Sequence, residues 1–286
     1  MSTTQIDPAE FRARQQQDWD RASQGWKAWH ELIDNGTRNV SARMIELAGI
    51  KTGDRVLDIA AGYGEPSLTA AQVVGPEGRV VATDISSGML AYGRERASAA
   101  GLDNVEFVEA AAASLDYPAG SFDAALSRWG LIFEPDGEGA AARIRGFLEE
   151  GGRLAISSWG PPDQVPMLGL PMGTVMKRLD IPPPPPGTPG PLSRPTREAI
   201  SALLEGGGFS DIQVDELDVS FEWDSPEGFT RFVKEIAPPV GNLMASHPPE
   251  VQDKTWAAVT EAVRAHTVDD GKLRMSNLAF VAAGRA

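Results

Sequence analysis

No cysteine occurs among the 286 residues, so disulfides, thiolate metal ligands and cysteine nucleophiles are excluded. No stretch approaches the roughly eighteen apolar residues that a membrane-spanning helix needs. Met1–Glu10 lacks the apolar core of a secretory signal. Cations are scarce: 26 Lys and Arg against 40 Asp and Glu give a net charge of −14. Too few positive side chains remain to displace counterions, which disfavours nucleic acid as a partner. The default expectation is a cytoplasmic protein with no nucleic-acid partner, no membrane span and no metal site. Glycine (30) and proline (22) are abundant, so many turns are expected, and the length suits one large domain or two modest ones.

The most informative stretch is Val56-Leu57-Asp58-Ile59-Ala60-Ala61-Gly62-Tyr63-Gly64-Glu65-Pro66. A buried apolar strand from Arg55 runs into a small-residue turn, and a helix follows from Pro66. A second apolar strand, Arg79 to Thr83, ends in Asp84. Small residues let backbone approach a ligand, a helix start offers free N–H groups, and an acid at a strand end takes ribose hydroxyls. Around this pair, strands and helices alternate. Strands are expected at 55–60, 79–85, 105–110, 124–128 and 153–159, with helices at 66–74, 87–100 and 139–149. Such alternation implies a parallel sheet with right-handed crossovers. Upstream, the spacing of Trp19, Ala22, Trp26, Trp29 and Ile33 predicts a helix over 10–33, and Val40, Met44 and Leu47 predict a second one stopping at Gly49. Downstream, the proline-rich 160–191 region, with five prolines at 182–186, reads as a spacer or lid. A helix at 197–204, a strand at 212–222, broken helices over 226–265 and a last strand at 278–283 complete the chain.

Four of these segments, in order, resemble class I S-adenosylmethionine-dependent methyltransferases, in particular the small-molecule group that includes quinone-biosynthesis methyltransferases. They are Asp58 to Gly64, with Ala60 in place of the usual first glycine; Val81-Ala82-Thr83-Asp84-Ile85-Ser86-Ser87-Gly88-Met89-Leu90; Gly120 to Ser127; and Leu148 to Leu154. The resemblance covers about residues 40–160 strongly and the final strands weakly. It implies a Rossmann-like α/β fold: a seven-stranded sheet, mostly parallel with an antiparallel last strand, helices on both faces and a helical roof. Residues 278–283 would then lie between the fifth strand and 212–222. The implied organisation is a helical cap (1–50), a cofactor-binding core (51–160) and an acceptor-binding lid and insert carrying the last two strands (161–286).

The same resemblance implies S-adenosylmethionine as cofactor and assigns roles. Backbone near Ala60, Gly62 and Gly64 would hold the methionine part, braced by Asp58. Asp84 would take the ribose hydroxyls, Ile85 would pack on adenine with Met89 as a further cofactor contact, and Ser127 and Arg128 would lie beside the sulfonium end. The family usually places an acid after the third strand to bind the adenine amino group. Here the position falls at Ala111, followed by Ala112, so adenine is expected to be held by backbone and apolar contact alone.

Methyl transfer to a small acceptor asks the protein mainly to align the acceptor and exclude water, and positioning of this kind supplies roughly 7–11 kcal/mol in favourable cases. A base is needed only for an acceptor that arrives protonated. With the N-terminal helices and the insert forming the roof, His30 and His247 are the candidate bases, and each also fits a surface or capping role. Trp26, Trp29, Trp129 and Phe133 are candidates for an aromatic acceptor cage, with Trp159 and Trp223 as further aromatics near the mouth of the sheet. They could equally glue roof to sheet. Two other readings stay open. A nicotinamide-dependent oxidoreductase would want a third glycine where Ser67 stands. A non-catalytic protein could keep the fold as a scaffold. The chain is expected to be a monomer or homodimer.

Overall fold

The structure, a computed structural model, describes residues 7–185 and 187–286. Met1–Ile6 and Pro186, the last residue of the proline run, lie outside them. Helix α1 (Pro8–Ala48) runs unbroken for 41 residues, about 60 Å at 1.5 Å per residue. Asp7 caps its start by accepting from Ala9 N–H, and Gly49 ends it in the left-handed region at φ 69°. The sequence suggested two helices here. They are one because Gly36 does not break the helix but lets it approach a strand: a Cβ there would lie 2.3 Å from the Phe221 ring.

The core then alternates: β1 (Arg55–Ile59), α2 (Ser67–Val74), β2 (Arg79–Asp84), α3 (Ser87–Ala99), β3 (Val105–Glu109), β4 (Phe122–Ser127), α4 (Gly137–Phe147) and β5 (Leu148–Trp159). The second half adds α5 (Pro166–Arg178), α6 (Arg197–Gly206), β6 (Ser210–Trp223), α7 (Pro226–Ile236), α8 (Pro238–Asn242), α9 (Pro249–Val263) and β7 (Leu273–Arg285). One seven-stranded sheet results, in the order β3-β2-β1-β4-β5-β7-β6. Strands β1 to β5 pair in parallel, and β7 is antiparallel to both β5 and β6. The expected Rossmann-like sheet with an inserted antiparallel last strand is present.

Successive strand residues face opposite layers. Val56 joins the core beneath α1, with Val40, Met44 and Trp159. Leu57 joins the opposite core, with Ile144, Leu154 and Leu203. The strand order reverses between β1's two neighbours, β2 and β4, which opens a crevice beyond their carboxyl ends.

The 160–191 region departs from the expected spacer, since α5 occupies 166–178. Pro171 inside it and the glycines at 169 and 173 hide it from propensity. Its buried residues Met167, Pro171 and Val175 nevertheless recur at four-residue spacing on one face.

Candidate functional site

The crevice is built where β1 ends. Ala60 adopts φ 56°, a left-handed conformation uncommon for a residue with a Cβ. Ala61 N–H donates to Thr83 C=O at 2.9 Å, which turns the loop toward β2. Gly62 N–H donates to Asp84 Oδ2 at 2.8 Å. Gly62 also has positive φ, and a Cβ added there would meet nothing within 4 Å, so the loop edges open space. Behind it, Ser67 at the start of α2 donates to the wholly buried Asp58. The loop is thereby tied at both ends.

Asp84 accepts from Gly62 N–H with one oxygen and from Ser86 N–H, also at 2.8 Å, with the other. Burial pushes its pKa up to about 6 against those hydrogen bonds, with Asp20 adding repulsion. Asp20 itself belongs to α1 and accepts from Ser86 Oγ at 2.6 Å and Gly88 N–H at 3.2 Å. The carboxylate has up to about four lone-pair sites, so two bonds leave Asp84 able to accept more. Burial likewise pushes Asp58 up to about 7, with Ser67 and Arg128 opposing. Asp58 Oδ1 has no partner among the described residues.

At the end of β4, Arg128 is buried and donates to Thr37 Oγ at 2.7 Å and Ser41 Oγ at 3.1 Å, both on α1. Its guanidinium lies 5.5 Å from the Trp129 ring and forms no ion pair among the described residues. Five N–H donors are therefore only partly used. Trp129 has φ 55°, and its N–H is held by Ser157 Oγ at 2.9 Å. The Trp129 ring stacks on Trp159 with centroids 4.3 Å apart and planes 7° from parallel. Gly130 is required next, because a Cβ there would lie 2.4 Å from Ala60 Cβ.

One cavity joins these features, with about 1480 Å³ of non-atom space including its mouth. It runs under α1, from which Gln15, Trp19, Trp26, Ile33 and Thr37 face it. That stripe is 22 residues from end to end, about 33 Å along the helix. Near Asp20 the cavity is lined by Asp84, Ile85, Met89, Ala110 and Ala112; near Thr37 it is lined by Tyr63, Glu65 and Arg128. Away from the loop the walls are apolar: Trp129, Trp159, Met167, Met172, Phe221 and Phe232.

Of the residues singled out from sequence, Ala60, Gly62, Asp84, Ile85, Met89, Ala112, Arg128, Trp26, Trp129 and Phe133 line this cavity. Asp58 and Gly64 stand behind the loop. Ser127 is buried, with its Oγ accepting from Leu131 N–H at 3.1 Å, and Ala111 is not among the lining residues although its neighbours Ala110 and Ala112 are. Neither histidine reaches the cavity. His30 packs edge-on against Tyr92, with Nδ1 at 2.9 Å from Lys27 C=O on the outer side of α1. His247 sits in the turn before α9, its carbonyl accepting from Gln252 Nε2 at 2.8 Å. Trp29 is also displaced, because three residues past Trp26 rotate it by about 300° around the helix. It donates to Glu235 at 2.6 Å and lines a separate surface groove. Residues missed from sequence are Gln15, Thr37, Glu65 and Glu134, together with the apolar side chains of α5, α7 and β6. For Gln15 and Thr37 the signal was available, since both continue the Trp19–Trp26–Ile33 stripe.

Residues 56–152 match a family described as a methyltransferase domain. The ubiquinone/menaquinone biosynthesis C-methyltransferase UbiE of Pseudomonas savastanoi pv. phaseolicola is 38% identical over 135 residues, 46% of this chain and 53% of that one. The aklanonic acid methyltransferase DauC of Streptomyces sp. strain C5 is 39% identical over 116 residues, 41% of this chain and 53% of its own. The chain thus spans about half the length of the curated relatives it matches. The crystal structure of the [4+2]-cyclase SpnF superposes with TM-score 0.55 at 20% identity, covering 92% of this chain and 94% of that one. The resemblance to class I methyltransferases of the quinone-biosynthesis type holds for the core strands, and the fold is theirs.

Proposed function

We propose that the chain is an S-adenosylmethionine-dependent methyltransferase acting on a small, apolar, planar acceptor. The observation that carries this reading is the polarity of one continuous cavity. A buried carboxylate, Asp84, stands near one end, a buried and partly unpaired guanidinium, Arg128, stands near the other, and the remaining wall is aromatic and apolar. A nucleoside carrying a zwitterionic amino acid matches that order. When bound, S-adenosylmethionine supplies a methyl group already activated as a sulfonium.

Asp84 accepts the ribose hydroxyls on its free lone pairs, and Ile85 and Met89 pack on the nucleoside. The empty space at Gly62 admits ligand against the loop backbone, a position that a side chain would fill. Arg128 donates to the amino-acid carboxylate, with Thr37 and Ser41 fixing its orientation. The stacked Trp129–Trp159 pair offers an apolar face for an acceptor ring, and the roof side chains Met167, Met172, Phe221 and Phe232 exclude water. An acceptor that arrives ionised, such as a phenolate, needs no base, and for one that arrives protonated the cavity offers the carboxylates Glu65 and Glu134 in place of a histidine. The names of the relatives support an oxygenated aromatic acceptor. Residues 1–50, 51–160 and 161–286 serve as cap, cofactor core and acceptor-side insert, in a monomer or homodimer.

A second reading is a binding protein, or an enzyme of another class, on the same fold. The likeness to a [4+2]-cyclase favours it. The test is transfer of labelled methyl from S-adenosylmethionine to a panel of hydroxyquinones, reduced quinones and aromatic acids. Label transfer by the wild-type chain, lost in Asp84→Ala, supports the first reading. Ligand binding without transfer to any acceptor supports the second.

A further inference from the structure

We propose that Glu134, assisted by Gln15, recognises the adenine amino group and so replaces the acid absent at Ala111. The inference rests on the cofactor reading above and concerns where the purine is read.

No acid of the segment after β3 is available for the task. Ala110 and Ala112 line the cavity without polar side chains, and Glu109 points outward to Gln16 Nε2 at 3.1 Å. Glu134, from the turn after β4, lines the same cavity, and its side chain is only 12% exposed. Its carboxylate accepts no hydrogen bond among the described residues. The nearest cation, Arg12, is 3.9 Å away, beyond hydrogen-bonding distance. Burial raises its pKa, as expected for a carboxylate without donors. Glu134 is half-buried and lines the cavity, so its carboxylate is free to accept from a ligand there.

Helix α1 fixes which part of the ligand that is. Gln15 donates to Phe133 C=O at 3.3 Å, and its neighbour Gln16 reaches Glu109. Adjacent residues of one helical turn thus bridge the Glu134 turn and the end of β3, bringing the two segments together. Asp20, one turn further along, marks the Asp84 carboxylate, and Thr37 marks Arg128. The order along α1 is Glu134, Asp84, Arg128, which matches purine, ribose, amino acid. Gln15 also lines the cavity, and with its Nε2 engaged its carbonyl oxygen remains as a second acceptor.

Calorimetric binding of S-adenosylhomocysteine and S-inosylhomocysteine tests this. The inosyl ligand presents a carbonyl oxygen where adenine presents its amine. Wild type is expected to prefer the adenosyl ligand by about thirtyfold, the scale of one hydrogen bond to a charged group set against a lone-pair clash. Glu134→Gln, whose amide can donate to the inosyl oxygen, is expected to reduce that preference to about threefold or less. Ala111→Asp in the wild-type background is expected to raise the preference by no more than about twofold, because the amine is already satisfied, and this arm stands even if Glu134→Gln folds poorly; a rise of about tenfold or more would overturn the inference. An unchanged preference in Glu134→Gln, or no preference in wild type, overturns the inference and leaves the cofactor reading intact. Failure of wild type to bind either ligand overturns that reading itself.

Discussion

Two halves of one cavity are made by opposite means. The Asp84–Arg128 half is polar and comes from the ends of adjacent parallel strands, its side chains oriented by backbone N–H groups and short hydroxyls. The tryptophan half is apolar and comes from α1, α5, α7, β6 and the ends of β4 and β5, elements far apart in sequence that meet only because β7 inserts beside β5. In the first half a few directed hydrogen bonds determine what binds, so single changes have large and selective effects. In the second, recognition is spread over surface area, so a substitution changes volume and polarity more than any one contact.

The largest expected break of that contrast is Asp84→Ala. Loss of a buried charged acceptor weakens S-adenosylhomocysteine by about a hundredfold. The thermal stabilisation of wild type, about 2.7 kcal/mol at a hundred times the dissociation constant, disappears with it. Next comes Met172→Glu, which places a charge among the tryptophans. Methyl transfer to an aromatic acceptor falls at least about tenfold, because an unpaired charge resists burial, while S-adenosylhomocysteine binds within about twofold of wild type. An equal loss in both measurements would mean that the halves are not separable.

Proton linkage gives a graded test. On the proposed cofactor reading, Asp84 must be ionised to accept from Gly62, Ser86 and ribose together, so its pKa of about 6 sets the window. Adenosyl-ligand affinity holds above that pH and declines below it, approaching about tenfold per pH unit. The apo protein moves the other way. Asp84 and Asp58, at about 6 and about 7, both lie above their unfolded values. The folded chain therefore binds more protons than the unfolded chain from about pH 4 up to those values, and stability falls as pH rises through that window. Calorimetric melting at pH 5 and 8 checks the direction, and Asp58→Asn flattens the profile. The smallest effects are expected at two other places. Ala60→Gly relieves a left-handed Ala, stabilising by about 1 kcal/mol, a rise of a few degrees in melting temperature. His30→Ala and His247→Ala leave transfer within about twofold, since neither side chain faces the cavity.

The same contrast explains what could be read from the residues alone. The loop from Asp58 to Gly64 and the strand-end Asp84 are local patterns whose backbone requirements leave a mark in sequence, and Arg128 follows directly from the end of β4. Glu134, proposed to read adenine, and the roof residues leave no such mark. Glu134 acquires meaning only when Gln15 and Gln16 bring its turn to β3. Helix α5 is masked by Pro171 and two glycines, although its buried stripe keeps helical spacing. Membership of the roof segments does not by itself aim a histidine at the cavity, because a helix rotating about 100° per residue carries His30 outward while Ile33 faces in. Trp29 is misplaced from the cage for the same reason.

The most direct measurement is calorimetric binding of S-adenosylhomocysteine, 5′-methylthioadenosine and NAD to wild type and Arg128→Ala. The account predicts that wild type binds S-adenosylhomocysteine at least about tenfold more tightly than 5′-methylthioadenosine, through the charged hydrogen bond from Arg128. It also predicts that Arg128→Ala closes that gap and that NAD does not bind. Binding of NAD in preference to the adenosyl ligands, or a gap that survives Arg128→Ala, would contradict it.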